Sequence, residues 1–368
     1  MKFLPVLLAL PFSLTLAWAQ SDTTTFRSEE VSYWNPVDSV RIGGTLTIPD
    51  ARNPQKFPVA LLITGSGAQD RDETILGKKP FKRIAEYLSA RGFAMLRLDD
   101  RGIGKTSLGR NGSQATSLNF ARDVGAGIEF LKARPEIDPK RIGLIGHSEG
   151  GLIAPMVAAK APDDVAFLIS LAGTGVPGGT IMKKQNRDIF RANGLGPVVV
   201  ERYGSLFYDA FIDQLRASAD TAQLRSTLEK GAVALRSQSS PDELKKLGFT
   251  SAYSRFAIGQ FVKISLSPWF RYFVIHDPAA DWQRVKCPVL ALNGAKDVQV
   301  DAVLNLAAIE KALKEGGNTQ YKVVNLPELN HLFQKAKTGS MAEYAAPNEQ
   351  FSMDVLRLMN TWLREVTR

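Results

Sequence analysis

Short apolar runs alternate with amphipathic stretches along most of this chain, and that alternation carries the first structural reading. Runs at residues 59–64, 93–98, 142–146 and 166–171 have the length and composition of buried strands. Between them, residues 80–90 and 118–133 space their apolar positions as a helix does. Strand, helix, strand, helix predicts an α/β architecture: a mostly parallel central sheet with helices on both faces. Upstream, RSEEVSYWNPVDSVRIGGTLTIPD alternates around turn residues and predicts an antiparallel hairpin.

The rhythm stops after Leu171, and roughly a hundred residues pass before the next strand-like run, CPVLALNG. Within that interval LFYDAFIDQLRA and TAQLRSTLEKGAVALR carry helical spacing, so the interval predicts an inserted helical cap. The alternation then resumes with a helix over 302–314, the strand YKVVNLP and a last helix from about 348 to 366. The expected organisation is a leader over 1–19, a sheet body over 20–174 and 281–368, and a cap over 175–280.

The leader is read from Lys2, an almost wholly apolar stretch over 3–16, and Ala17-Trp18-Ala19 as a cleavage site. It predicts an exported, periplasmic protein cut after Ala19. Its apolar stretch is too short, and too interrupted by Pro5 and Pro11, for stable membrane insertion. Cys287 is the single cysteine, so no internal disulfide can form, and its place before Pro288 at the start of an apolar run predicts a buried structural thiol. With 44% hydrophobic residues the chain can bury a sizeable core. The net charge of +9 comes from scattered lysines and arginines, with no tract longer than pairs such as Lys78-Lys79, which argues against a nucleic-acid partner.

Candidate chemistry centres on GHSEGG, where Ser148 lies between Gly146-His147 and Glu149-Gly150. A strand-like run precedes it and a small-residue helical run follows. Such a strand–turn–helix corner needs small neighbours, which Gly146 and Gly150 supply, and it lifts the serine toward a helix N-terminus. A serine hydroxyl needs a base, and the chain holds three histidines. His147 sits beside the serine, with its ring expected to point away, and His276 precedes the late strand. His331, in LPELNHLFQ, follows the last strand, where a loop can return over the carboxyl edge of the sheet, and is the expected base. The carboxylate that orients it is expected at Asp297, after the strand and glycine turn of VLALNGAKD. Asp301 is the alternative, although its position suits a helix cap. One oxyanion donor is expected at the Glu149 N–H. The other is expected in LLITGSGAQDRD, at Ser66 or its competitor Gly67.

ITGSGAQDRDE, LRLDDRGIGKTS, GHSEGGLIAP, LAGTGVPG, SPWFRYF and LNGAKDVQV, in this order, resemble the EstD-like serine carboxylesterases of the α/β-hydrolase superfamily. The resemblance runs from about Val31 to the end of the chain. It implies hydrolysis of small-molecule carboxylic esters, short acyl chains favoured, by Ser148, Asp297 and His331 through an acyl-enzyme and without a cofactor. One departure is Thr64, which stands where many α/β hydrolases carry histidine before the oxyanion-loop glycine. Asp100-Arg101 is expected to fix its loop rather than to act in chemistry. In the cap, Trp269 and Phe270 are candidates for the substrate pocket, against the plainer expectation that they pack cap onto body. A serine aminopeptidase and an inactive binding module on the same fold are the competing functions.

Overall fold

The computed structural model describes residues 25–50, 56–249, 255–345 and 350–368, so the leader lies outside the described residues. Eight strands form one sheet: β1 (Phe26–Asn35), β2 (Val40–Pro49), β3 (Phe57–Ile63), β4 (Ala94–Leu98), β5 (Ile137–His147), β6 (Phe167–Leu171), β7 (Val289–Gly294) and β8 (Tyr321–Leu326). Their order is β1-β2-β4-β3-β5-β6-β7-β8. The predicted hairpin is β1–β2, antiparallel with Asn35 opposite Val40, and β2 joins β4 antiparallel. From β4 to β8 every pairing is parallel. The four central apolar runs are β3 to β6, shifted by a few residues at their ends.

Two buried clusters lie on the two faces of the sheet. Helices Ser117–Lys132, Gly150–Lys160 and Ala302–Glu315 pack Ile128, Ile153 and Ile309 against one face. Helices Pro80–Ser89 and Met353–Val366 pack Phe81, Leu88, Met359 and Leu363 against the other. Parallel strands buried on both sides read as continuous apolar runs, which is why β3 is buried at every position. The last helix starts at Met353, after Ser352, rather than near 348. Cys287 is buried and free, and burial pushes its thiol up to about 12.

Between β6 and β7 the described residues are largely helical, from Gly178–Ala192 to Ala279–Trp282. Its middle has a core of its own, in which Tyr203, Phe207, Phe211, Phe249 and Val274 meet without a residue of the sheet. Trp282 closes the return to the body by donating its indole N–H to the Thr174 carbonyl at 2.9 Å. No helix among the described residues is long and apolar enough to cross a membrane.

Asp100 and Arg101, which the sequence suggests as one structural pair, work separately. The buried Arg101 guanidinium reaches Asp38 at 2.8 Å and Asp123 at 2.6 Å, tying the β1–β2 turn and the helix Ser117–Lys132 to the loop after β4. Removing one partner of such a buried cluster strands the other charges. Arg101→Ala should therefore lower stability by about 3–5 kcal/mol in urea unfolding, whereas truncating the exposed Lys105, which reaches only Glu30, should cost less than about 1 kcal/mol.

Candidate active site

Chain order reverses around β3, whose neighbours are β4 and β5, and the loops leaving the carboxyl ends of β3 and β5 meet there. After β5 the backbone turns sharply: Ser148 has φ +53°, left-handed for a residue with a side chain, and the helix begins at Gly150. That conformation costs on the order of 1–3 kcal/mol and persists only where the surroundings impose it. They do so by close contact. A Cβ at Gly146 would lie 2.1 Å from the Gly150 carbonyl oxygen, and one at Gly150 would lie 2.0 Å from that of Ile63. The Ser148 N–H donates to Leu171 O at 2.9 Å, so the serine backbone is bound to β6.

His331 stands on the loop after β8, folded by the Asn330 side chain, whose carbonyl oxygen takes the N–H groups of Leu332 and Gln334 at 3.0 Å each. Its Nδ1 lies 2.7 Å from Asp297 Oδ2. The other oxygen of Asp297 accepts from the N–H groups of Gln299 (2.8 Å) and Val300 (2.9 Å), which fixes the carboxylate. Since a carboxylate only accepts, Nδ1 carries the proton, and a neutral ring has a bare Nε2. Asp301 takes the other role weighed for it: it caps the helix Ala302–Glu315 through the Leu304 N–H at 2.7 Å. His276 lies away from this group, bonded to Asp281 at 2.8 Å.

Ser148 and His331 line one cavity of about 560 Å³, together with Gly65, Ser66, His147, Trp269 and Phe270. Gly65 faces the serine: a Cβ there would be 3.2 Å from Ser148 Cβ. Its N–H is already engaged by Glu73 Oε1 at 2.8 Å. Among the described residues, the N–H groups of Ser66, Gly67 and Glu149 donate to no protein acceptor. Gly67 has φ +106° and needs glycine. Thr64, in place of a histidine, donates its hydroxyl to Asp100 Oδ1 at 2.7 Å, and the Gln69 N–H holds Asp100 Oδ2 at 2.9 Å, so Asp100 anchors this loop.

Two features of the site are not legible from the motifs. The His147 ring does not point away; it lies beside the His331 ring, centroids 4.8 Å apart, with Nδ1 2.8 Å from Glu73 and Nε2 3.0 Å from the His331 carbonyl oxygen. The Glu149 side chain is buried, accepting from Ser117 Oγ at 2.6 Å and from the Trp269 indole N–H at 2.8 Å, so the cap is bonded to the residue after the serine. Burial pushes this carboxyl above the usual range, and Ser117, Trp269 and Ser66 pull against it. The available signal was chemical: a glutamate set among small apolar helix residues has to find donors. Trp269 lines the cavity and touches the body through Glu149, while its ring stacks on Phe273 of its own helix with centroids 6.1 Å apart. Phe270 faces the cavity from the cap core.

A family model described as serine aminopeptidase, S33, matches residues 79–188. Esterase EstD of Thermotoga maritima is 26% identical over 294 residues, covering 78% of this chain and 57% of that protein, so the chain spans little more than half of that relative's length. The esterase Pf2001 of Pyrococcus furiosus superposes with a TM-score of 0.55 at 14% identity, covering 93% of this chain and 92% of that one. The α/β hydrolase GrgF of a Penicillium species gives 0.53 at 15% identity, covering 92% and 98%. The architecture read from the sequence is borne out: the fold is that of the α/β hydrolases.

Asp100 sets a pH dependence for the loop beside the serine. Burial pushes its carboxyl up to about 7, against the pull of the Gln69 N–H and the Thr64 hydroxyl. Between its unfolded range near ~4 and about 7 the folded chain binds the extra proton, so this group's contribution to stability falls as pH rises through that window. Urea unfolding from pH 4 to 8 should show that decline, and Asp100→Asn should flatten this component.

Proposed function

We propose that this α/β hydrolase is a serine esterase that cleaves small carboxylic esters through an acyl-enzyme. The observation that carries the reading is Ser148, held at φ +53° in one cavity with His331, whose Nδ1 is fixed 2.7 Å from a buried carboxylate. His331 takes the serine proton as Oγ attacks the ester carbonyl, and Asp297 stabilises the imidazolium that forms. The N–H groups of Glu149 and Ser66, with Gly67 next along the loop, hold the oxyanion, typically worth a few kcal/mol. The alcohol leaves with the proton from His331, and water attacks the acyl-enzyme by the same route.

The cavity lining favours a neutral substrate. Ile181, Met182, Phe273 and Leu332 are apolar, and Gln69, Gln185 and Gln299 offer amides. Glu73 is the one acidic residue among the described lining residues, and its Oε1 already takes Gly65 and His147. A peptide's ammonium terminus would therefore find no acidic group beyond the second oxygen of this buried carboxylate, which favours esters over the aminopeptidase chemistry named in the family model. A cavity of about 560 Å³ admits a whole small ester, consistent with short acyl chains. The leader-like residues 1–19 support export to the periplasm.

Purified protein should hydrolyse p-nitrophenyl acetate and butyrate, and Ser148→Ala should lower kcat by about 10⁴-fold or more. Faster release of amino acids from short peptides than of acid from comparable esters would favour the peptidase instead. Trp269→Ala should move the preferred acyl length upward by opening the cavity wall. An unchanged chain-length profile with lowered thermal stability would reduce Trp269 to packing.

A further inference from the structure

His147 and Glu73 form a buried pair that the reaction above does not use. Glu73 is 1% exposed and held at φ +52°, in the loop that follows β3. Its Oε1 accepts the Gly65 N–H at 2.8 Å and lies 2.8 Å from His147 Nδ1. On the other side of the ring, Nε2 lies 3.0 Å from the carbonyl oxygen of His331. We infer that His147 is a positioning residue, a buried imidazolium paired with the Glu73 carboxylate, that clamps the loop carrying the oxyanion donors to the backbone of the base.

Hydrogen-bond roles carry the charge assignment. A backbone carbonyl can only accept, so Nε2 must bear a proton. Glu73 Oε1 already accepts from a backbone N–H, and an oxygen that also bore its own proton would be a weak acceptor there. The proton between Glu73 and His147 therefore belongs on Nδ1, and both ring nitrogens donate. Burial opposes charge on this ring, but Glu73 outweighs it, helped by the His331 carbonyl and by Asp297, so the ring holds its proton more tightly than an ordinary histidine. The charged or titratable groups around the pair are Glu73 from the loop after β3, Asp297 and His331 from the loops after β7 and β8, and Asp100, within electrostatic reach of Glu73. Because the ring holds its proton more tightly, the clamp persists to higher pH than an ordinary histidine would allow and opens as pH rises further.

The inference rests on the esterase reading for its catalytic consequence, but not for its charge state. The clamp joins three segments that must keep register: Gly65 leads into Ser66, His147 at the end of β5 precedes Ser148, and the His331 carbonyl belongs to the base. Losing it should disturb transition-state geometry more than ground-state binding.

The experiment pairs kinetics with NMR on the full chain. Glu73→Gln, which keeps shape and removes charge, should lower kcat for p-nitrophenyl acetate at least ten-fold with KM changed less than three-fold. Retained kcat with only a lower melting temperature would overturn the positioning role. In long-range ¹H–¹⁵N spectra of histidine-labelled wild-type protein at pH 7, one ring should show both nitrogens protonated. That signal should persist in His276→Gln and vanish in His147→Gln. A His147 ring with a single protonated nitrogen would overturn the inference. This signature stands apart from activity, so an inactive wild type would sink the esterase reading and leave the pair to be judged by its spectrum.

Discussion

Everything at the carboxyl edge of this sheet is arranged around one strained residue. A left-handed Ser148 can exist only if the segments around it come closer than side chains allow, and three backbones do so: the end of β5, the first turn of the following helix and the end of β3. Gly146 and Gly150 are glycines because a carbonyl oxygen occupies the place their Cβ atoms would take. The strain is local, while what holds it is distributed over the buried core on both faces of the sheet. A fully apolar β3 is thus as necessary to the corner as the glycines, since it brings the Ile63 carbonyl against Gly150.

Polar groups that the corner buries are matched with similar economy. The Asp297 oxygens divide their work, one taking two backbone N–H groups and the other the His331 ring. The Glu149 carboxyl takes a hydroxyl from the body and an indole from the cap. Each carboxylate is therefore oriented before any ligand arrives, the condition for stabilising developing charge without reorganisation.

The strand alternation, the opening hairpin and the cap insertion were legible because each follows from a local pattern: period, apolar run length and an over-long interval between strands. The placement of Ser148, Asp297 and His331 near one another followed from which strand ends they occupy. What was not legible depended on side-chain direction after a sharp turn and on distant partners. Glu73 is 74 residues from His147, and nothing in GHSEGG announces it, so the ring was expected to point elsewhere. Asp100 and Arg101 look like a pair by adjacency, yet adjacent residues leave a loop in different directions, and each found partners elsewhere. The last helix was expected five residues early because the apolar pattern alone did not mark Ser352 as its boundary.

The cap's separate aromatic core has a consequence for how such a molecule can diversify. Because Tyr203, Phe207, Phe211 and Phe249 pack among cap residues rather than on the sheet, the insertion is a semi-autonomous module. Its sequence can drift, lengthen or be exchanged without repacking the layers that strain the serine. The interface constrains such change at only certain points, among them the Trp269 bond to Glu149 and the Lys184–Asp301 ion pair at 3.1 Å. The cap side of the cavity wall and the strained corner therefore rest on different cores, so the first can be rebuilt while the second stays packed as it is.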